Sequence, residues 1–208
     1  MAGVTIWRFG VSNPLPRMFL ARHGETPWSL SGQHTGRTDL ALTANGEQDG
    51  VKLGTRLKEF MFAAVWSSPR QRAKRTGELA GFGDRLVVDP DLAEWDYGDF
   101  EGIRTADILK QAPGWFLFRD GSPNGETVEQ VGARADRVVA KAREQNGDVL
   151  VFSHGHFIRV LAARWLGLPV RDAAYFFVST AALGILSYEH HTTQEPVISL
   201  WNDDRHLK

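Results

Sequence analysis

Five short apolar runs, Met18–Ala21, Ala63–Trp66, Arg85–Val88, Val149–Phe152 and Leu183–Tyr188, alternate with longer segments of helical period. This alternation restricts the fold more than any other feature of the chain. The clearest helical segments are Thr43–Phe60 (opened by a Thr43-x-x-Gly46-Glu47 turn), Pro69–Gly81, Glu126–Gln145 and His156–Leu166. Strands linked through helices of this length imply right-handed crossovers. The expected fold is therefore α/β, a three-layer α/β/α sandwich around a mostly parallel central sheet. Ligands of such sheets bind beyond the carboxyl ends of the strands, so functional residues are sought directly after strands.

No internal repeat or linker divides the 208 residues, and one domain over residues 18–208 is expected, with residues 1–17 as an N-terminal extension. That extension lacks the long apolar core of a secretory signal. The longest apolar stretch, Val160 to Val170, is broken by Arg164 and Pro169, far short of a membrane span. The reading is a cytoplasmic protein with no membrane partner, and a homo-oligomer is compatible with it. A formal net charge of -1 provides no overall basic surface, so nucleic acid is not an expected partner. The absence of cysteine excludes disulfides, thiolate metal sites and a cysteine nucleophile. Trp7, Trp66, Trp165 and Trp201 are expected to pack rather than to stack on ligands.

Two strand ends carry the same kind of group: Arg22-His23-Gly24 follows the first strand and Ser153-His154-Gly155-His156 follows the fourth. The glycine after each histidine allows a sharp turn and leaves its N–H free to approach an anion. The helix from His156 directs the positive end of its dipole at the same place. A third element, Ser67-Ser68-Pro69-Arg70-Gln71-Arg72, follows the second strand, with Pro69 suited to the first helical position and Arg72 facing the same cavity. Arg22 and Arg72 together offer two guanidinium forks for phosphoryl oxygens. A leaving alkoxide needs a proton donor, and Leu92–Gly102 supplies four carboxylates: Glu94, Asp96, Asp99 and Glu101. The loop Gly114–Gly125 either borders the site or covers it.

The combination of Arg-His-Gly, a second arginine and a late Ser-His-Gly resembles the histidine phosphatase superfamily, which includes the phosphoglycerate mutases. The resemblance spans about Phe19 to Leu200. It implies that His23 is the nucleophile, that His154 hydrogen-bonds the transferring phosphoryl group, and that Glu94, heading an E-x-x-x-G-x-x-E-G segment, is the acid. The implied reaction is hydrolysis of a small-molecule phosphate ester without metal or other cofactor. Further motifs are similar to those of the fungal sedoheptulose 1,7-bisphosphatases: Trp28-Ser29-x-Ser31-Gly32-Gln33-x-Thr35-Gly36, Glu94-Trp95-x-Tyr97-Gly98-Asp99 and Gly184-Ile185-Leu186-Ser187-Tyr188-x-His190-His191. By that similarity Thr35, Gly36, Tyr97, Arg159 and His190 line the sugar end of the pocket, and Arg159 suits a second phosphate or a hydroxyl-rich chain. Ser29 stands where many members carry asparagine, and it is expected at the phosphate. Gly155 and His156 are expected to touch substrate; the His154-x-His156 spacing also occurs in metal hydrolases, but no matching Asp/His set completes a coordination sphere. A broad-specificity acid phosphatase, a phosphoglycerate mutase and a non-catalytic binding member of the fold are the alternatives.

Overall fold

A computed structural model describes residues 15–208. Trp7 and residues 1–14 of the expected extension lie outside the described residues. Arg17 already belongs to the folded body: its carbonyl accepts the Val149 N–H and its guanidinium pairs with Asp148.

Six strands, β1 (Met18–Arg22), β2 (Ala64–Ser67), β3 (Leu86–Val88), β4 (Val149–Ser153), β5 (Leu183–Tyr188) and β6 (Pro196–Asp203), form one sheet in the order β3-β2-β4-β1-β5-β6. The pairings β1·β4, β2·β4 and β2·β3 are parallel, whereas β5 runs antiparallel to β1, and β6 to β5. Helices α1 (Pro27–Ser31), α2 (Ala44–Leu57), α3 (Gln71–Gly77), α4 (Thr105–Gln111), α5 (Leu117–Asp120), α6 (Val128–Arg143) and α7 (Gly155–Trp165) surround it. Alternate residues of a strand face opposite ways. Phe19 and Ala21 accordingly pack with Leu53 and Leu57 of α2, while Met18 and Leu20 pack with residues of α6 and α7. Each fully buried Leu, Val or Phe of these layers contributes roughly 1.5–3 kcal/mol of transfer free energy.

The sixth strand was not expected from the sequence. It starts on a proline, lies at the sheet edge and is mostly half-buried, so it lacks a strong apolar signature. The helix expected over Pro69–Gly81 is shorter, because Arg70 is extended (φ −73°, ψ 136°) and caps a helix starting at Gln71. Pro69 therefore precedes the cap and does not occupy the first helical position. The other end passes into a wider turn that reaches a left-handed Gly81 (φ +90°). Within 114–125, Leu117–Asp120 is helical, and Pro123 accepts the Asp99 N–H. That loop borders the acid segment.

Register places Arg22 opposite Ser153, and Ser67 opposite Phe152. The chain segments leaving β1, β2 and β4 therefore emerge side by side.

Candidate active site

At this common edge lies an open cleft of about 230 Å³. Of the residues expected from sequence, Arg22, His23, Ser29, Thr35, Glu94, Tyr97, Gly155, His156 and Arg159 line it. Arg72, His154 and Gly36 stand behind that lining. His190 is elsewhere.

His23 is buried, and its Nδ1 lies 2.7 Å from the carbonyl oxygen of Gly24. A carbonyl only accepts, so Nδ1 carries the proton and Nε2 keeps its lone pair. Burial, followed by the nearby charges of Arg22 and Arg72, holds the imidazole pKa well below its ordinary value, so the ring is neutral. Gly24 allows the backbone to pack closely on Gly46, since a Cβ there would meet the Gly46 carbonyl oxygen at 2.3 Å. Its N–H does not await an anion as expected, since it donates to Thr76 Oγ1.

The Arg22 guanidinium donates to the Val178 carbonyl at 2.8 Å, and its Nε is buried without a partner. An unpaired buried guanidinium N–H is the donor that an anionic ligand completes. Gly155 makes room for it: a Cβ there would lie 3.2 Å from Arg22 Cζ. Arg72 differs from expectation in being fully buried, with Nη1 on the Thr38 carbonyl, Nη2 on the Thr35 carbonyl and Nε on His154 Nδ1. The other nitrogen of His154 lies 2.6 Å from Ser68 Oγ, so both of its ring positions are taken inside the protein.

Glu94, 8% exposed, accepts three backbone N–H groups: Oε1 from Trp95 and Phe157, Oε2 from His156. The group held at the start of α7 is thus the protein's own Glu94 carboxyl, with one lone pair of Oε2 left for a proton in transit. The sequence reading missed the residue that fixes this segment. Arg134 of α6 binds the carbonyls of Asp91 and Ala93, pairs with Glu126 and stacks on Phe157. Arg134→Ala leaves these acceptors without their donor and is expected to cost about 3–5 kcal/mol, read as a lowered unfolding midpoint in denaturant. A shift below about 1 kcal/mol would contradict the clamp. The competing carboxylates serve turns: Asp96 accepts the Gly98 N–H, Asp99 the Asn124 amide, and Glu101 the N–H groups of Gly36 and Thr38.

Beyond Glu94, the Tyr97 hydroxyl lies 2.5 Å from His156 Nδ1. Burial, then the Glu94 charge, holds the phenol well above its ordinary pKa, so Tyr97 keeps its proton. His34 and Thr105, which carry no motif, complete this end, with His34 Nε2 3.1 Å from Thr105 Oγ1. The Ser29 hydroxyl is occupied in the cap of α1, accepting from the Thr26 N–H and donating to the Thr26 carbonyl. His190 is a correction. Because β5 runs antiparallel to β1, its end lies at the opposite sheet edge, where the His190 side chain is 77% exposed and pairs with Glu195.

Burial is the leading cause that lowers the pKa of His23, His154, His156 and His34, the last to about 4. In the unfolded chain these rings take up protons near 6.5, so below that value the unfolded state binds more protons and stability falls with pH. The melting temperature is expected to drop as the pH is lowered from about 6.5 towards 4; a constant value across that window would contradict neutral buried rings.

A model of the histidine phosphatase superfamily (branch 1) matches residues 18–204. The chain is 43% identical over 188 residues to an acid phosphatase of Mycobacterium tuberculosis, covering 88% of this chain and 92% of that protein. It is 34% identical over 250 residues to sedoheptulose 1,7-bisphosphatase of Saccharomyces cerevisiae, with 89% and 92% covered. A solved structure of a Mycobacterium tuberculosis open reading frame superposes with a TM-score of 0.81 at 39% identity, over 90% of this chain and 97% of that one. Fold, cleft and relatives together define a phosphoric monoester hydrolase acting on a small phosphate ester. The chain belongs to the histidine phosphatase superfamily. Among the described residues, no helix is long and apolar enough to cross a membrane.

Proposed function

We propose that the chain is a metal-independent phosphatase that hydrolyses a sugar phosphate or bisphosphate through a phosphohistidine at His23. The observation that carries this reading is the neutral His23 ring, protonated at Nδ1 by its bond to the Gly24 carbonyl, in a cleft shared with the unpartnered Arg22 Nε and with Glu94. The Nε2 lone pair attacks phosphorus, the ester P–O bond breaks, and the leaving oxygen takes the proton of the Glu94 carboxyl. Water then gives a proton to Glu94 and attacks phosphorus; the P–N bond breaks, freeing Nε2 and inorganic phosphate. Arg22 neutralises charge on the transferring group. Arg72 and His154 support it from behind, Arg72 by its charge and by fixing the His154 ring.

The yeast relative is named for a sugar bisphosphate, which supports a phosphorylated sugar as substrate. Similarity to an acid phosphatase supports a second reading, a broader range of monoesters. Phosphate release from sugar mono- and bisphosphates, phosphoglycerates and p-nitrophenyl phosphate, in excess chelator, distinguishes these. Turnover in chelator is expected; activity only after adding a divalent metal would defeat the mechanism.

A further inference from the structure

The loop between Phe176 and Ala182 forms one side of the cleft and is bonded to the nucleophile segment. The Arg22 N–H donates to the Ala182 carbonyl, the Ala181 N–H to the His23 carbonyl, and Arg22 Nη1 to the Val178 carbonyl at 2.8 Å. Phe177 and Val178 also line the cleft. The Val178 contact sets the aim of Arg22. A guanidinium is planar and rigid, so fixing one Nη fixes the direction of the other N–H groups, including the buried Nε that has no partner among the described residues.

The Val178 carbonyl is held in turn by the C-terminal segment. Trp201 Nε1 donates to the Phe177 carbonyl at 2.6 Å, and Asn202 Oδ1 accepts the Ser179 N–H at 2.7 Å, so the two bonds flank Val178. Successive residues of a regular strand face opposite ways, and both side chains could not then reach one loop. They reach it because β6 is bulged: β5 advances two residues, from Leu183 to Ile185, while β6 spans three between their partners Asp203 and Leu200. Asn202 is left-handed there (φ +51°), a conformation that asparagine adopts more readily than most residues. Nearby, the Trp201 ring packs on Phe176 with centroids 5.7 Å apart, and His206 Nε2 lies 3.0 Å from the Ala181 carbonyl oxygen. None of Trp201, Asn202 and His206 lines the cleft.

We propose that the bulge of β6 is a positioning device for Arg22, in which Asn202 and Trp201 hold the Val178 carbonyl so that the free Nε points at the transferring phosphoryl group. This rests on the reading of Arg22 as a phosphoryl ligand and adds the residues that orient it.

The test is a double-mutant cycle of Asn202→Gly with Arg22→Ala in the full chain, read as kcat/KM for p-nitrophenyl phosphate and as the Kd of orthovanadate by titration calorimetry. Glycine takes the left-handed conformation without strain, so the variant keeps the bulge and removes the acceptor. Asn202→Gly is expected to lower kcat/KM and to weaken orthovanadate binding by about tenfold each. Asn202→Asp, which keeps an oxygen for the Ser179 N–H, is expected to recover most of both losses. In the Arg22→Ala background, Asn202→Gly is expected to change either quantity by less than about twofold, because it acts through that side chain. A full tenfold effect in that background, or a folded Asn202→Gly with wild-type constants and only a lowered melting temperature, overturns the proposal. If Asn202→Gly does not fold, Trp201→Phe carries the same cycle. It keeps the ring against Phe176 and loses the Nε1 donor, with a loss of about threefold expected and none contradicting the device. Arg22→Ala binding orthovanadate as tightly as the wild type would remove Arg22 from the phosphoryl site, and the proposal with it. A wild type that binds orthovanadate but releases no phosphate is a different failure, that of the hydrolytic reading, and the orthovanadate cycle still decides the role of the bulge.

Discussion

His23→Ala is expected to lower kcat/KM by on the order of 10³-fold or more for every substrate, p-nitrophenyl phosphate included. The breadth of the loss follows from position. Nε2 is the atom that bonds phosphorus, so its removal is felt whatever the leaving group. His23 is also held from several sides: its N–H bonds the Ser153 carbonyl, its own carbonyl accepts from Ala181, and Nδ1 bonds Gly24. Alanine keeps the two main-chain bonds, so the variant is expected to fold and to retain the cleft while losing turnover. Steady-state rates checked against a melting curve separate the two effects. A folded variant that keeps more than about a tenth of wild-type activity would remove His23 from the chemistry.

The second large effect is expected from Glu94→Gln, at about 10²–10⁴-fold on kcat for a sugar phosphate. Its size depends on the leaving group in a way that His23→Ala does not. A sugar alkoxide must be protonated as it departs, whereas nitrophenolate departs readily without a proton. With p-nitrophenyl phosphate the first step therefore proceeds in the variant, and the second, in which Glu94 takes a proton from water, is slow. A burst of nitrophenolate close to one equivalent per chain, followed by a slow steady state, is the expected record in a stopped-flow trace. A uniform loss without a burst would assign Glu94 a structural role. Glutamine still accepts from Trp95 and Phe157 through one oxygen, but its amide faces the His156 N–H, a cost of roughly 1–3 kcal/mol. The melting curve reads that cost independently of the burst.

The centre of the site was legible in the sequence because it obeys a local rule. Residues just after parallel strands converge at the carboxyl edge, and Arg22, His23 and Gly155 do so. His190 was expected at the pocket from the similarity alone, and it lies elsewhere because β5 runs antiparallel to β1, so its last residue reaches the other edge. Arg134 was illegible for a different reason. It reaches the acid segment from forty or so residues away and carries no motif, and only the packing of α6 on that segment reveals the clamp. His34 and Thr105 are likewise single residues brought together by tertiary structure. Ser29 shows competition for one hydroxyl, because a serine at that position caps α1 and its oxygen is used locally before any ligand arrives. The edge strand β6 escaped because half-buried strands give a weak alternation.

The central claim is a covalent bond between phosphorus and His23 Nε2, and its most direct test is to mix the enzyme with phosphoryl-labelled substrate, quench rapidly in base and locate the label by peptide mass spectrometry. The account predicts base-stable, acid-labile phosphate on the peptide containing His23, transient in the wild type and accumulating in Glu94→Gln. Turnover with no labelled protein at any quench time, or a label on another residue, would contradict it.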